Sequence, residues 1–469
     1  MAEDKKMKEL REKLLCEKKN GYDRFDIARE GAMESYCVDY KAFLDAGKTE
    51  RECASELVRL AEKAGFQAYS RGMQLNAGDK VYLCNRGKSV YLAQIGKKSL
   101  AEGAQIAAAH IDSPRLDLKP NPLYEDNELC YFKTHYYGGI RKYQWTAIPM
   151  ELHGVVALKN GKNVKVNIGV DANDPKLVIT DLLPHLGAEQ NKKPLSEAVP
   201  GETLNLLLGS RPLPECEGSD RVKLAVMQLL HEKYGIVEED FTSAELEAVP
   251  CAKACDIGLD RSMIGAYGHD DRVCAYAAFR ALLDLKETPE KTAVCVLADK
   301  EEIGSDGVTG MQSAAFDTFM EDLCAAQDVP VRVCFEKSFC LSADVTAAFD
   351  PNFAEVFEKR NAAYLNYGIG LCKYTGARGK SGASDADAET VAYVRNLFDN
   401  AGVLWQIAEL GKVDAGGGGT VAMYMANRNI TTLDAGVPVL SMHAPFETVA
   451  KLDCFETYRG MTAVFTENR

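Results

Sequence analysis

The sequence has no CxxC pair, and its fifteen cysteines, an odd number, are scattered from Cys16 to Cys454. That distribution fits neither a disulfide framework nor a four-cysteine zinc site, so a reducing cytoplasm is the expected compartment. No uncharged apolar run reaches the ~18 to 20 residues that a membrane helix needs. The opening stretch MAEDKKMKELREKLLCEKKNGYDRF is charged throughout and has no apolar h-region, so no signal peptide is expected. Excess positive charge is also missing. The formal net charge of −14 argues against a general nucleic-acid or anionic-membrane partner. The glycine run GGGGT (416–420) is not followed by the Lys-Ser/Thr of a P-loop, which argues against nucleotide binding there. No internal repeat is evident.

What is present is ordinary globular material, 46% hydrophobic and 26% charged over 469 residues, long enough for two domains. Residues 3–19 and 38–64 read as helices, the second with Tyr40, Phe43, Leu44, Leu57, Leu60 and Ala61 at helical spacings. Strands are expected at 80–86, 89–96 and 104–112. From about 119 the texture turns β-rich, with turn pairs such as Asn160-Gly161, and an amphipathic helix capped by Ser219 is expected over 219–236. From about 262 helices and strands alternate. The expected fold is therefore α/β: a mixed sheet sandwiched by helices, interrupted by an inserted β-rich second domain. The expected division is 1–118 and 262–469 for the α/β domain and 119–261 for the insert.

Several apolar strands end in polar residues of one chemical kind. LADKEEIGSDG (297–307) places Glu301 and Glu302 after the run Thr292–Ala298. AQIAAAHID ends in His110 and Asp112, which lie two apart and so point to one side of an extended segment. GHDDRV (268–273) precedes a helix, FCLSAD ends in Asp344, and VPVLSMH ends in His443, one of only seven histidines. Each motif alone has a bland reading: a solvated acidic loop, a satisfied structural histidine or a helix cap. Together they put two histidines and several carboxylates at the loop edges of one expected sheet, where open α/β sheets bind ligands. Two zinc-like cations need about this set, with one carboxylate left over as a general base. The GGGGT run is a tight turn or a backbone cradle for a substrate group.

The order and character of HIDSP, GHDDR, DKEEIGS, LSADVTAAFDPNF and VPVLSMHAPFETVAKLD resemble the aspartyl aminopeptidase family, in its bacterial-type form, among the co-catalytic zinc exopeptidases. The resemblance covers both ends of the chain. It implies hydrolysis of N-terminal residues, acidic Asp and Glu among them, by a metal-activated water and a glutamate base. It implies metal ligation by His110, Asp270 (bridging, rather than Asp271), Glu302, Asp344 and His443. Glu301 would be the base; Asp112, from its place two residues after His110, is expected to help orient the ligand or a nearby substrate group at the catalytic centre. Two divalent ions are implied, zinc by ligand type, with cobalt or manganese able to occupy the same set. Substrate contacts are expected from Gly418 and Gly419, from Lys373 in CKYTGARGKSGASD, and from His185 of LPHLG reaching a neighbouring subunit. The stretch GARGKSGAS departs from the asparagine-containing, aromatic stretch of eukaryotic members, which bears on the acidic preference. Family members form tetrahedral dodecamers, so peptides and further copies of the chain are the expected partners. The rival readings are a related di-zinc deacylase or carboxypeptidase and a non-catalytic peptide-binding scaffold.

Overall fold

The computed structural model describes residues 2–16 and 18–467. Three sheets organise them. The largest has nine strands, in the order Gln67–Ala68, Lys80–Asn85, Ser89–Gln94, Thr292–Ala298, Ala104–His110, Phe339–Ser342, Thr431–Gly436, Ile369–Cys372 and Trp405–Ile407. The four from Thr292–Ala298 to Thr431–Gly436 run parallel to their neighbours within that group. Every residue of Ala104–His110 and Thr292–Ala298 is buried, as expected for parallel strands covered on both faces.

Period-two alternation divides the core. Ala107, Ala109, Cys295 and Leu297 face one helical layer, which includes Glu30–Ala46, His269–Leu283 and Lys451–Phe465. Ile106, Ala108, Val294 and Val296 face the other, with Ala315–Ala325 and Val331–Lys337. The α/β expectation holds, with its helices on both faces of a mixed sheet.

The second sheet has seven antiparallel strands drawn from Arg115 to Pro250. Its edge strand Ala244–Pro250 pairs both with Arg115–Asp126 and with Pro149–Ala157, so six strands close into a ring and Asn163–Ile168 hangs outside it. Closure removes the open edges that would otherwise invite another chain. Its own core gathers Phe132, Trp145, Leu206 and Phe241. A third sheet of five short strands includes Met263–Ala266, Glu447–Ala450 and Pro438–Leu440.

Some sequence expectations need correction. The helix expected over 38–64 is two helices, Glu30–Ala46 and Glu50–Lys63. The break is stabilised locally: Thr49 Oγ1 accepts the Glu52 N–H, and the buried Lys48 ammonium donates to Pro250 O and Ala252 O. The first expected helix is observed as Ala2–Leu14, and its position 17 lies outside the described residues. Ser219 caps nothing: the helix is Arg221–Tyr234, entered through a left-handed Asp220. The strand Thr431–Gly436 and the helix Lys451–Phe465 were not expected at all.

Candidate active site

Three adjacent parallel strands end side by side. Ala298 lies opposite His110 and Ser342 opposite Ala108, so the segments carrying Glu301, Glu302, His110 and Asp344 leave the sheet at one level. His110 Nδ1–H donates to the carbonyl of Asp112 (3.0 Å), which fixes the tautomer and leaves Nε2 free. That Nε2 is 3.3 Å from Asp270, 3.8 Å from Glu301 and 3.8 Å from Asp344. After Ala298 the chain turns through Lys300 at φ +68 into a single helical turn, Glu301–Ile303. The Asp112 carboxylate accepts the N–H of both Glu301 and Glu302 at 3.2 Å. The two acids then diverge: the Glu302 side chain is 3% exposed and that of Glu301 18%.

The remaining residues do not come from this sheet, which corrects the expectation of a single sheet edge. Asp270 follows the strand Met263–Ala266 and His443 follows Pro438–Leu440, both in the five-stranded sheet. The Asp270–Asp271 peptide is cis. His443 has φ +64; its Nδ1–H donates to Gly139 O (2.6 Å), and its Nε2 lies 3.0 Å from Asp270 and 3.6 Å from Glu302. Asp270 thus stands between the two imidazoles, one oxygen towards each. Glu447 joins the pair from behind, accepting the Asp270 N–H (3.1 Å) and the His443 N–H (2.7 Å).

The electrostatics call for cations. Burial pushes Glu301 up to about 8; His110 opposes this, and Asp344, Asp112 and Asp270 add to it. Burial also holds Glu302 and Asp271 well above the carboxylate range. Burial disfavours charge on the histidines, yet the neighbouring carboxylates of Asp112, Asp270 and Asp344 hold His110 well above the imidazole range, and Asp270 and Glu302 bring His443 to about 10. Six carboxylates thus crowd two imidazoles, the pattern a divalent ion relieves. Among the described residues His110 Nε2, Glu302 Oε1 and both Asp271 oxygens are buried without a hydrogen-bond partner. Ligand-type atoms of His110, Asp270 and Glu302, and likewise of His110, Asp271 and Asp344, lie within 4.8 Å of one another. The donor set therefore fits divalent metal. A cavity of about 450 Å³ opens over it, lined by Glu301, Glu302 and His443 on one side and by Arg378, Lys412 and the glycine run on the other.

Comparison with known proteins agrees with this chemistry. The family model described as aminopeptidase I zinc metalloprotease (M18) matches residues 43–465. The chain belongs to the M18 peptidase family. It is 49% identical to a probable M18 family aminopeptidase 1 of Clostridium acetobutylicum, over 96% of this chain and 98% of the relative. It superposes on the crystal structure of an M18 aminopeptidase from Thermotoga maritima with a TM-score of 0.92 at 42% identity, covering 96% of this chain and 99% of that one. For aminopeptidase I from Clostridium acetobutylicum the TM-score is 0.91 at 47% identity, covering 97% and 100%. This M18 aminopeptidase is thus a metal-dependent peptide hydrolase. Among the described residues, no helix is long and apolar enough to cross a membrane.

Within this aminopeptidase, the geometry gathers His110, Asp112, Asp270, Glu301, Glu302, Asp344 and His443. Gly418 and Gly419 line the cavity, and a Cβ on either would meet nothing. The close approaches that demand glycine are instead at Gly416, against Leu410 O, and at Gly417, against Gly376 O at φ +113. Lys373 is not in the cavity wall; it faces Asp385 (3.7 Å), while Arg378, Lys380 and Lys412 line the wall. His185 lies in an exposed turn, Pro184–Leu186, away from the cavity of its own chain. Sequence reasoning missed Glu447, although it lies within the quoted motif VPVLSMHAPFETVAKLD, four residues after His443.

Proposed function

We propose that this aminopeptidase removes N-terminal residues from peptides at a two-ion centre, with Glu301 as general base. The single observation that carries the reading is Asp270, whose two carboxylate oxygens face His110 and His443 separately. In this reading His110 and Asp344 would hold one ion and Glu302 and His443 the other, with the Asp270 carboxylate placed to serve both. Ions of zinc type held there would supply Lewis acidity towards a carbonyl and a water of lowered pKa. Glu301, facing the cavity, takes the proton of the attacking water and delivers it to the leaving amine. Asp112 keeps Glu301 and Glu302 in place through their N–H groups. The N-terminal side chain lies against the loops of Gly418, Gly419 and Arg378. The cationic wall of Arg378, Lys380 and Lys412 supports accepting Asp and Glu there.

We also infer that the chain works as a cytoplasmic homo-oligomer built through residues 119–261. Leu182, Leu183, Leu186 and Leu195 are exposed around His185, an apolar group of the kind that marks an association surface. A relative from S. cerevisiae is a dodecamer, and the same assembly would carry His185 to a neighbouring chain's site. A panel of aminoacyl amides and N-acyl amino acids, assayed with defined metals, tests the reaction. Cleavage of the amides alone is expected, and cleavage of the acyl compounds alone would overturn it. Glu301→Gln is expected to lower kcat about 10²- to 10⁴-fold with metal content unchanged; full activity would remove Glu301 as base.

A further inference from the structure

The strand Leu129–Tyr137 belongs to the closed ring of the seven-stranded sheet, yet its end lies against both halves of the metal centre. The Tyr137 hydroxyl donates to Asp112 Oδ2 (2.8 Å). Asp112 in turn accepts from the N–H of Glu301 and Glu302 and from His110. Two residues on, Gly139 O accepts His443 Nδ1–H (2.6 Å). Between them Gly138, at φ +75, passes so close to Glu302 that a Cβ would lie 3.1 Å from its carboxylate oxygen. The tyrosine is itself fixed. The Arg115 guanidinium lies 3.8 Å from its ring centroid, and Arg115 is anchored by Asp117 (2.8 Å), Glu50 (3.2 Å) and Glu247 (3.4 Å). All of these but Asp117 are buried.

We propose that Tyr137–Gly138–Gly139 is a clasp by which the closed sheet sets the metal centre, with Tyr137 as a positioning residue acting through Asp112. Groups that orient metal ligands from behind commonly matter to affinity about ten- to hundredfold. Tyr137 orients two such segments at once, and Gly139 fixes which nitrogen His443 presents. The inference rests on the metal-centre reading above and goes beyond it: the closed sheet becomes part of the active site as well as a surface for assembly.

The test is zinc uptake by the metal-stripped full chain, measured by competition with a chromogenic chelator, together with its melting temperature. Tyr137→Phe keeps the ring over Arg115 and removes only the hydroxyl. It is expected to weaken zinc binding about ten- to hundredfold while the melting temperature of the metal-free chain stays close to that of the unaltered chain. Tyr136→Phe, at an exposed neighbour, is expected to bind zinc normally. Asp112→Asn should weaken binding on its own, and adding Tyr137→Phe to it should change little, because one removes the partner of the other. Unchanged zinc affinity in Tyr137→Phe, losses that multiply in the double variant, or a collapsed melting transition without a specific affinity change would each overturn the clasp. An unaltered chain that takes up no zinc would overturn the metal-centre reading as well, which separates the two failures.

Discussion

The two halves of the proposed metal centre are built by different means. His110, Glu301, Glu302 and Asp344 leave three neighbouring parallel strands whose ladders fix their relative height. Asp270 and His443 leave short strands of the small sheet through left-handed residues, Gly268 at φ +78 and His443 at φ +64. Their placement depends on the Glu447 carboxylate, the borrowed carbonyl of Gly139 and the Ser113 hydroxyl, which donates to Asp270 O. The first half is held by cooperative backbone pairing, the second by individual hydrogen bonds. Single substitutions should therefore disturb the second half more readily than the first, unless they remove a ligand shared by both.

The sharpest challenge to this contrast is to remove the shared carboxylate and, separately, one histidine. Asp270 faces both imidazoles, one oxygen towards each, so Asp270→Ala is expected to abolish binding of both ions. His443→Ala leaves His110, Asp270 and Asp344 in place and should retain one. Metal content per chain after desalting decides between them, and equal losses would mean the halves are not separable. Glu447→Ala comes next. It strands two backbone N–H groups, at roughly 1–3 kcal/mol each, and should weaken zinc binding about ten- to hundredfold in chelator competition. A change confined to melting temperature would make Glu447 structural only.

The mildest effect concerns pH. Burial brings Glu301 and Glu447 up to about 8 in the metal-free protein, against ~4.3 for a free glutamate. A raised folded-state value stabilises the protein fully below the unfolded pKa and is lost as pH rises through about 8. Urea unfolding of the metal-stripped chain should therefore show lower stability at about pH 9 than at about pH 6. Zinc-loaded chain should show a flatter dependence, because bound cations stabilise the ionised carboxylates. Parallel dependences would argue that the cations do not neutralise this cluster.

The sequence was readable where burial was uniform and polarity sat at the ends. TAVCVLA and AQIAAA are apolar runs that stop at ligand-type residues, and both form central strands. It was unreadable where polar groups are buried inside an element. In Lys451–Phe465 nearly the whole helix is enclosed, Lys451, Asp453 and Glu456 included, so no amphipathic stripe exists. Asp453 accepts the N–H of Asn366 and Gly368, and Glu456 that of Leu404. Thr431–Gly436 carries a buried Asp434 bonded to Thr420, which interrupts the apolar run that would mark a central strand. The ligand-type residues stood out because chemistry limits what can end a strand that way. Glu447 and Tyr137 did not, because their roles lie in contacts with backbone and a distant carboxylate, which no local pattern records. The derivation of the site from two sheets was hidden for a related reason: strand motifs report burial, not which sheet a strand joins.

The chain leaves the α/β layers just after His110 and returns just before Asp270. Both crossing points are buried and hydrogen-bonded: Ser113 donates to Asp270 O (2.6 Å) and Tyr267 to Pro114 O (2.9 Å). Lengthening or shortening the chain there would shift a ligand-bearing turn. Insertions are expected to be tolerated instead in loops of the closed sheet such as the exposed stretches 171–173 and 217–220, which leave the junctions untouched. What the closed sheet presents to the outside is thereby uncoupled from the spacing of the two ligand-bearing turns.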